Sequence, residues 1–440
     1  MEVKKACITE DEKLIKGAFD GNDIGKENII VVDSLMGSGK TSWAAKKMKG
    51  EGQYIYVTPY LDECQRMIDL IDGAKHFKEP TNKNEYGSKK YDLYQFILKG
   101  ENIITTHSLF RSCDKDILDH IKSQNYTLIL DEVMNVLEIK KISKSDYDML
   151  LSTKSISIDK DGKVIWLNDN YTGSFDWIKE YALAGQLYKH SSQDTQKIAF
   201  FVWQFPVEIF KYFKEVYILT YLFDGQIQKY YFDMHNLEYT YKQVELIDGQ
   251  YKLVDYNKVT QYKQLMKFRE LINIYEGNLN DIGDDNYSFS VSFFEKKNNK
   301  ETVQQLKRNT ENYMQHYIKG NSSMNMWTTF KDQKNNLKGR GYTKGFVAVN
   351  ARSTNQYSHK SNLAYLANRF LPTYEYNYFK NLGIEIDENL WALSELIQWI
   401  WRSAIRNGKP INIYIPSSRM RNLLIDWLDC KSEDTESLVA

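Results

Sequence analysis

The first stretch of the chain whose residue types could do chemistry is rich in glycine. The segment SLMGSGKT, residues 34–41, matches the phosphate-loop pattern G-x-x-x-x-G-K-[ST], with Ser34 in place of the first glycine. In this pattern backbone N–H groups cradle phosphates, Lys40 reaches the β- and γ-phosphates, and the Thr41 hydroxyl ligates Mg²⁺. The residues predicted to hold the nucleotide are Gly37, Ser38, Gly39, Lys40, Thr41 and Ser42. The alternative is a glycine-rich turn with a solvated lysine.

A pair of acids supplies the second half of such a site. Asp131 and Glu132 end the apolar run TLILDEV. Asp131 is predicted to hold Mg²⁺ through water, and Glu132 to polarise the attacking water. The pair indicates hydrolysis of ATP rather than phosphoryl transfer to a metabolite. The alternative is that Asp131 and Glu132 are only two solvated acids at a strand end. The phosphate loop in the same chain argues against that alternative.

A third feature is basic. The segment KDQKNNLKGRGYTKG, residues 331–345, carries Lys338, Arg340 and Lys344 and has Trp327 and Tyr342 as aromatic neighbours. Basic side chains beside aromatic rings suit a sugar-phosphate backbone with a stacked base. A solvated basic loop is the open alternative.

These residues need elements to position them, and the apolar pattern predicts an α/β fold. Continuous apolar runs that alternate with helix-compatible segments are typical of parallel strands covered on both faces. The predicted strands of a first block are 28–34, 53–59, 102–108, 126–132 and 215–221. Those of a second block are 286–294, 345–350 and 410–416, with helices around ETVQQLKRNTENYMQHYIK and LWALSELIQWIWRSAIRNG.

The two blocks predict two domains. The first spans residues 1–225 and carries an insertion at about 134–200 that looks mainly helical. The second spans 226–440 and includes a polar, Tyr-rich linker. At 440 residues, two or three domains are the usual outcome.

Composition excludes some classes of protein. The 58 basic and 58 acidic residues cancel, so no global charge argues for a nucleic-acid partner, although a local basic groove stays open. The four cysteines form no CxxC pair, which argues for a reducing compartment and against a zinc ribbon. No apolar run reaches the roughly 20 residues that span a bilayer, and the N-terminus has no signal-peptide core. We therefore expect a cytoplasmic protein with no membrane partner.

Taken together, these segments resemble a known family. SLMGSGKT, YVTPYLDEC, ITTHSLF, LILDEV and YILTYLF follow the order of motifs I, Ia, Ib, II and III of superfamily-2 helicases, which are DEAD/DEAH-like ATPases. The stretches AVNARSTNQYSHKSNLAYLANRFL and LIQWIWRSAIRNGKPINIYIPSSRMRNLL are similar to helicase-like proteins of bacteriophages. The resemblance covers residues 28 to 428 and implies two RecA-like domains with parallel sheets and a nucleotide cleft between them.

The resemblance also implies that the second domain presents arginines to the γ-phosphate. The family's motif VI reads Q-x-x-G-R-x-x-R, whereas this chain has Gln398, Trp401 in place of the glycine, Arg402, and Arg406 one place late. Gln398, Arg402 and Arg406 would share one side of a helix. The family pattern favours Arg406 as the arginine finger, with Arg402 supporting closure. Pairing of these arginines with surface acids is the alternative.

In the family, motifs Ia, Ib and V line the path of the nucleic-acid strand. The matching positions here are Thr58, Thr105, Thr106, Asn350, Arg352 and Thr354. Hydroxyls, amides and backbone N–H groups at strand ends can bind phosphates without reading sequence. Threonines that only start turns or cap helices are an equally open reading.

The sequence therefore predicts a nucleic-acid-dependent ATPase, a helicase that uses ATP and Mg²⁺ in a bacterial cytoplasm during phage DNA replication or recombination. Its expected partner is single-stranded or forked DNA, with replication or recombination proteins as further partners. One alternative is a phage DNA-packaging motor, whose nuclease domain would need acids at strand ends where this chain has Asn350 and Pro416. Another is a nucleic-acid-binding protein that uses the nucleotide only as a conformational switch.

Overall fold

The computed structural model describes residues 28–71, 73–113, 115–190, 194–350 and 356–430. Its strands are β1 (Ile29–Asp33), β2 (Tyr54–Thr58), β3 (Ile103–Thr106), β4 (Thr127–Asp131), β5 (Leu137–Ser143), β6 (Ile156–Ile158), β7 (Val164–Trp166), β8 (Leu187–Lys189), β9 (Ile198–Gln204), β10 (Glu215–Thr220), β11 (Thr240–Ile247), β12 (Gln250–Asp255), β13 (Ile272–Ile274), β14 (Asn325–Thr328), β15 (Asn362–Tyr365) and β16 (Ile411–Tyr414).

Helices connect these strands and cover the sheets. They are α1 (Lys40–Met48), α2 (Leu61–Ile71), α3 (Lys89–Leu98), α4 (His107–Arg111), α5 (Lys115–Gln124), α6 (Lys144–Ser152), α7 (Asp176–Leu183), α8 (Ile227–Met234), α9 (Lys258–Arg269), α10 (Val291–Glu295), α11 (Lys300–Asn312), α12 (Lys334–Leu337), α13 (Thr373–Asn381), α14 (Glu388–Ile400) and α15 (Ser418–Leu428).

The first sheet has the strand order β12-β11-β1-β10-β4-β2-β3, and its neighbours are parallel except β11 and β12. Successive residues of a strand face opposite sides of a sheet. Accordingly Val31 packs into an apolar cluster with α3 and α5, whereas Val32 packs into another with α1 and α2. Burial on both faces explains the continuous apolar runs, and the five strands predicted for the first block are confirmed by β1, β2, β3, β4 and β10.

The second sheet is parallel as well, in the order β13-β16-β15-β14. The strand predicted at 410–416 is confirmed by β16, and the α/β class with parallel sheets flanked by helices is confirmed. The strand predicted at 286–294 is wrong. Phe289 has a positive φ of 64°, and Ser290 Oγ accepts from Phe293 N at 3.2 Å to begin α10. The alternating apolar residues of 286–294 are typical of a strand, which explains the wrong prediction.

The strand predicted at 345–350 is also wrong, since only Phe346 forms a bridge, with Trp327. Because no strand ends at Asn350, that residue no longer argues against a packaging motor. The missed strands β13, β14 and β15 have three or four residues each, too few for an alternating pattern to stand out.

Residues 137–204 interrupt the first block, but they are not mainly helical as expected. They form an antiparallel sheet, β5-β9-β8, and a β6–β7 hairpin, with α6 and α7 packed beside them. The strand β9 has the sequence IAFFVWQ and is almost wholly buried. Its aromatic and β-branched residues favour β-structure.

The domain boundary predicted at residue 225 does not coincide with the end of the first sheet. β11 and β12, residues 240–255, extend the first sheet beside β1. The two sheets also share one apolar cluster, in which Leu35 and Tyr221 of the first half pack with residues of α14 and α15. Trp427 Nε1 of α15 donates to the Tyr221 hydroxyl at 3.0 Å. The two halves of the chain are therefore in direct contact.

None of the described helices combines the length and the apolarity that a bilayer crossing requires.

Candidate functional site

The carboxyl ends of the parallel strands bring the predicted nucleotide residues together. β10 lies between β1 and β4, with Asp33 opposite Thr220 and Leu219 opposite Asp131. The phosphate loop therefore leaves one neighbour of β10 and the acid pair leaves the other. Ligands of open α/β sheets bind at this edge.

Lys40 is buried at the start of α1. Its Nζ donates to the backbone oxygens of Ser34 and Leu35, the latter at 3.2 Å. Burial lowers the pKa of Lys40, and the charges of Glu132, Asp33 and Asp131 oppose that shift. The alternative of a solvated lysine does not fit this environment.

Glycine is required at two points of the loop. Gly37 and Gly39 have φ values of 83° and 93°, in the left-handed region that favours glycine. A Cβ on Gly39 would also lie 2.1 Å from Cε1 of Tyr251, whose ring packs directly on the loop. Tyr251 belongs to β12, and sequence reasoning did not connect it with the site.

The two acids occupy different environments. The Tyr56 hydroxyl donates to Asp131 Oδ2 at 2.7 Å, and burial raises the pKa of the Asp131 carboxyl. Glu132 follows with a positive φ of 68°, and its N–H donates to the oxygen of Leu219 at 2.9 Å. Non-glycine residues in this conformation cluster at functional sites. Asp131 and Glu132 thus stand fixed beside the phosphate loop.

The second half of the chain closes the cleft. A cavity of about 320 Å³ is lined by the phosphate loop, Asp131 and Glu132 on one side and by Gln398, Arg402 and Arg406 on the other. Arg402 is only 5% exposed, and its Nε and Nη1 have no hydrogen-bond partner among the described residues. Burial lowers the pKa of Arg402 to about 10. Arg406 is exposed at the rim.

The sequence predicted that these three side chains share one helix, and that prediction is wrong. α14 ends at Ile400, and a short 3₁₀ helix, Ala404–Asn407, follows. Ser403 is extended, with its Oγ bonded to the oxygen of Ile400, so the chain turns between the two arginines. Gln398, Arg402 and Arg406 nevertheless line the same cavity.

Sequence reasoning missed other residues of the cavity. Gln226 lies at the N-cap of α8 and is 5% exposed, and no described residue bonds to its Nε2. Glu63 and Arg66 of α2 form an ion pair at the opposite wall. Trp401 adds an aromatic face. Gln226 follows the motif III segment by a few residues, which is the only signal that could have found it.

Among the residues predicted to contact a nucleic-acid strand, Thr58, Thr105 and Thr106 lie together at the carboxyl ends of the paired strands β2 and β3, whereas Asn350 belongs to the second half of the chain. Thr58 and Thr105 are 0% and 2% exposed, so their hydroxyls are buried in this structure rather than open to a nucleic-acid strand. Thr106 Oγ1 accepts from Leu109 N at 3.3 Å and caps α4, as the alternative reading had it. Asn350 borders a second cavity of about 280 Å³ that also contacts Arg402. Arg352 and Thr354 lie outside the described residues.

The basic segment 331–345 is partly as expected. Lys338, Arg340 and Lys344 are exposed on the second half of the chain. The expected stacking of a base on Trp327 or Tyr342 is wrong, because both rings are buried and pack on each other at 5.1 Å between centroids.

The fold and this cleft define an α/β protein with two parallel sheets and a phosphate loop that faces residues of the second sheet. A model of the YonV C-terminal Rossmann-like domain matches residues 266–428, and a model of the YonV middle domain matches residues 137–203. The SPbeta prophage-derived protein YonV of Bacillus subtilis (strain 168) is 45% identical over 417 residues, 92% of this chain and 99% of the relative. The chain therefore belongs to the YonV family.

Two solved structures match most of the chain at low similarity. An apo XPD structure has a TM-score of 0.43 at 11% identity and covers 91% of this chain and 95% of its own. The Xpd4 structure of S. tokodaii has a TM-score of 0.39 at 11% identity and covers 93% of this chain and 95% of its own. At these TM-scores neither likeness bears on activity.

Proposed function

We propose that the chain is a nucleic-acid-dependent ATPase of the superfamily-2 helicase type. The observation that carries the proposal is a single cavity with Lys40 and the acids Asp131 and Glu132 on the first sheet's side and Arg402 on the second half's side. Phosphoryl chemistry needs little more than positioning and cations at the reacting oxygens.

The residues present fit ATP with Mg²⁺. The left-handed Gly37 and Gly39 open the loop before α1, whose N-terminus favours an anion. Lys40 would bind the β- and γ-phosphates, and Thr41 and Asp131 would hold the metal, directly or through water. The metal would neutralise charge on the phosphate oxygens. Glu132 would orient the attacking water from its fixed backbone position.

The arginine finger is best assigned to Arg402. A finger must meet the γ-phosphate where water is excluded, and Arg402 is buried and has two donor nitrogens without partners among the described residues. Arg406, which the family pattern favours, is exposed and sits beside the Glu63–Arg66 ion pair of the same cavity. We give Arg406 the supporting role.

Nucleic acid is proposed as the partner that sets the rate of hydrolysis. The exposed Lys338, Arg340 and Lys344 offer phosphate contacts on the second half of the chain. ATP must favour a closed arrangement of the halves over an open one for each cycle to move the strand. Leu35 and Tyr221 already pack against the second half, so the contact that would change is in place.

Steady-state ATP hydrolysis with and without single-stranded DNA or RNA tests the proposal, with Lys40→Ala as the reference. We expect hydrolysis stimulated by nucleic acid in the wild type and none in the variant, with unchanged circular dichroism. Lys49→Ala, an exposed lysine just beyond α1, is the matched control. Near wild-type turnover in Lys40→Ala would contradict the nucleotide site, and ATP-controlled binding of DNA without turnover would favour the switch alternative.

A further inference from the structure

A buried carboxylate at the foot of the phosphate loop has no part in the chemistry proposed above. Asp33 is the last residue of β1 and is 4% exposed. Its Oδ1 accepts from Leu222 N and its Oδ2 from Phe223 N, both at 3.0 Å. Both carboxylate oxygens are therefore committed to the backbone that follows β10.

We call residues 222–226 the coupling segment. Its first residue, Leu222, has φ 56° and ψ 52°, a left-handed conformation that leucine rarely adopts. Such a conformation persists only where the surroundings impose it. The two hydrogen bonds to Asp33 hold this turn from the first sheet, and the bonds Gly225 N to Leu222 O at 3.1 Å and Gln226 N to Phe223 O at 2.8 Å hold it from within.

The far side of the coupling segment contacts the second half of the chain. A Cβ on Gly225 would lie 2.7 Å from the carbonyl carbon of Leu390 and 2.8 Å from its oxygen. Leu390 belongs to α14, which continues to Gln398 and leads to Arg402. The nearest atoms belong to the Leu390 backbone, with Leu390 Cγ next at 2.9 Å, so a side chain at position 225 would have to displace α14.

The segment ends at Gln226, whose side chain enters the nucleotide cavity together with Gln398 and Arg402. Gln226 Nε2 has no partner among the described residues. From the loop side, Leu35 packs into the same apolar cluster as α14. The phosphate loop, the coupling segment and α14 thus form one continuous contact that runs through Asp33.

We propose that Asp33 is a positioning residue for ATP hydrolysis. By holding the coupling segment, it sets both the Gln226 side chain and the approach of α14, and through α14 the distance of Arg402 from the γ-phosphate. Asp33 touches neither nucleotide nor metal in this scheme, so it acts on turnover rather than on ATP affinity. The inference rests on the proposed ATPase function.

Two variants break the contact from opposite ends. Asp33→Asn leaves one acceptor oxygen for two N–H groups and places an NH₂ donor against the second. Gly225→Ala keeps Asp33 intact and pushes α14 away with a single methyl group. The controls are Asp92→Asn, the same change at a carboxylate of α3 that accepts from Thr81 N at 2.9 Å, and Gly50→Ala, at an exposed glycine.

The measurements are binding of the fluorescent analogue mant-ATP and kcat and KM for ATP with oligo-dT. We expect both test variants to bind mant-ATP within about threefold of wild type while kcat falls at least tenfold, and both controls to behave as wild type. Wild-type kcat in Gly225→Ala, or a loss of mant-ATP affinity in Asp33→Asn equal to its loss of kcat, would overturn the role of Asp33. Absence of ATPase activity in the wild type would instead overturn the proposed function and this inference with it.

Discussion

At the scale of single residues, the proposed site keeps the group that would bind the phosphates apart from the group that would activate water. Lys40 lies under the loop and bonds to its carbonyls, whereas Glu132 stands at the cavity wall on a strained backbone. Lys40 begins α1 and Glu132 follows β4, so the two residues belong to different elements. Variants at these sites should therefore separate binding from chemistry.

Glu132→Gln should bind ATP with Mg²⁺ and hydrolyse it slowly. The amide keeps the shape of the carboxylate and loses the charge that orients water, and a general base contributes about 10²–10⁴ in rate. We expect kcat to fall by about that factor while mant-ATP affinity stays within severalfold. The variant should also hold single-stranded DNA longer in ATP. Loss of ATP binding would show that Glu132 is structural.

Asp33 predicts a pH dependence of stability. Burial raises its pKa from 3.8 to about 6, against opposing contributions from the Phe223 N–H and Lys40. The pKa of Asp33 is higher in the folded state than in the unfolded state, so protonated Asp33 adds to the free energy of unfolding. This contribution, about 3 kcal/mol in all, is full below about pH 4 and is lost as the pH rises through 6. Chemical denaturation of wild type and Asp33→Asn at pH 4 to 7 should show the variant gaining relative stability by about that amount as pH rises. A difference in the free energy of unfolding between the two proteins that does not change with pH would contradict the raised pKa of Asp33.

At the scale of elements, the end of α14 decides which arginine is buried at the cavity. The helix stops at Ile400, and the turn at Ser403 leaves Arg402 buried and Arg406 exposed. The first-half elements that face them are α2 and the coupling segment. A helix that continued to residue 407 would not separate the two side chains in this way.

Arg402→Lys should therefore reduce stimulated ATP hydrolysis far more than Arg406→Lys. Lysine keeps the charge and removes the planar fork, and an arginine finger can be worth ~10³ or more in rate. We expect kcat with oligo-dT to fall by about that factor for Arg402→Lys and by less than tenfold for Arg406→Lys, with mant-ATP binding retained in both. The reverse order would return the finger to Arg406, and full stimulation in both would remove the second half from the reaction.

The segment around α12 carries a separate expectation. Lys338, Arg340 and Lys344 are exposed, whereas the rings of Trp327 and Tyr342 are buried. Replacing all three by alanine should weaken binding to every single-stranded sequence alike and reduce the slope of log K against log salt by up to about 2. The control replaces Lys160, Lys197 and Lys214, exposed lysines of the first half. An unchanged affinity and slope would mark the segment as a solvated loop.

At the scale of the whole molecule, the two sheets meet through a shared apolar cluster rather than through a loose linker. Leu35 of the phosphate loop and Tyr221 after β10 lie in the same cluster as α14 and α15. The loop that would hold the phosphates is therefore part of the contact between the halves. This arrangement suits a protein in which nucleotide and domain contact change together.

The sequence by itself determined what is local. The phosphate loop, the acid pair and five strands of the first sheet are each contained in a few consecutive residues, whose apolar pattern and glycines suffice to recognise them. The α/β class follows from the same pattern. The strands of the second sheet have three or four residues, and there the local signal failed at 286–294 and 345–350.

Only the tertiary structure decided what depends on distant parts of the chain. Asp33 reaches Leu222 across 189 residues, and Tyr251 covers Gly39 because β12 joins the first sheet. No spacing or periodicity encodes these contacts, since they arise from strand order and from packing between helices. The burial of Arg402 and of Thr58 was decided in the same way, because burial is set by what covers a side chain rather than by its neighbours in sequence.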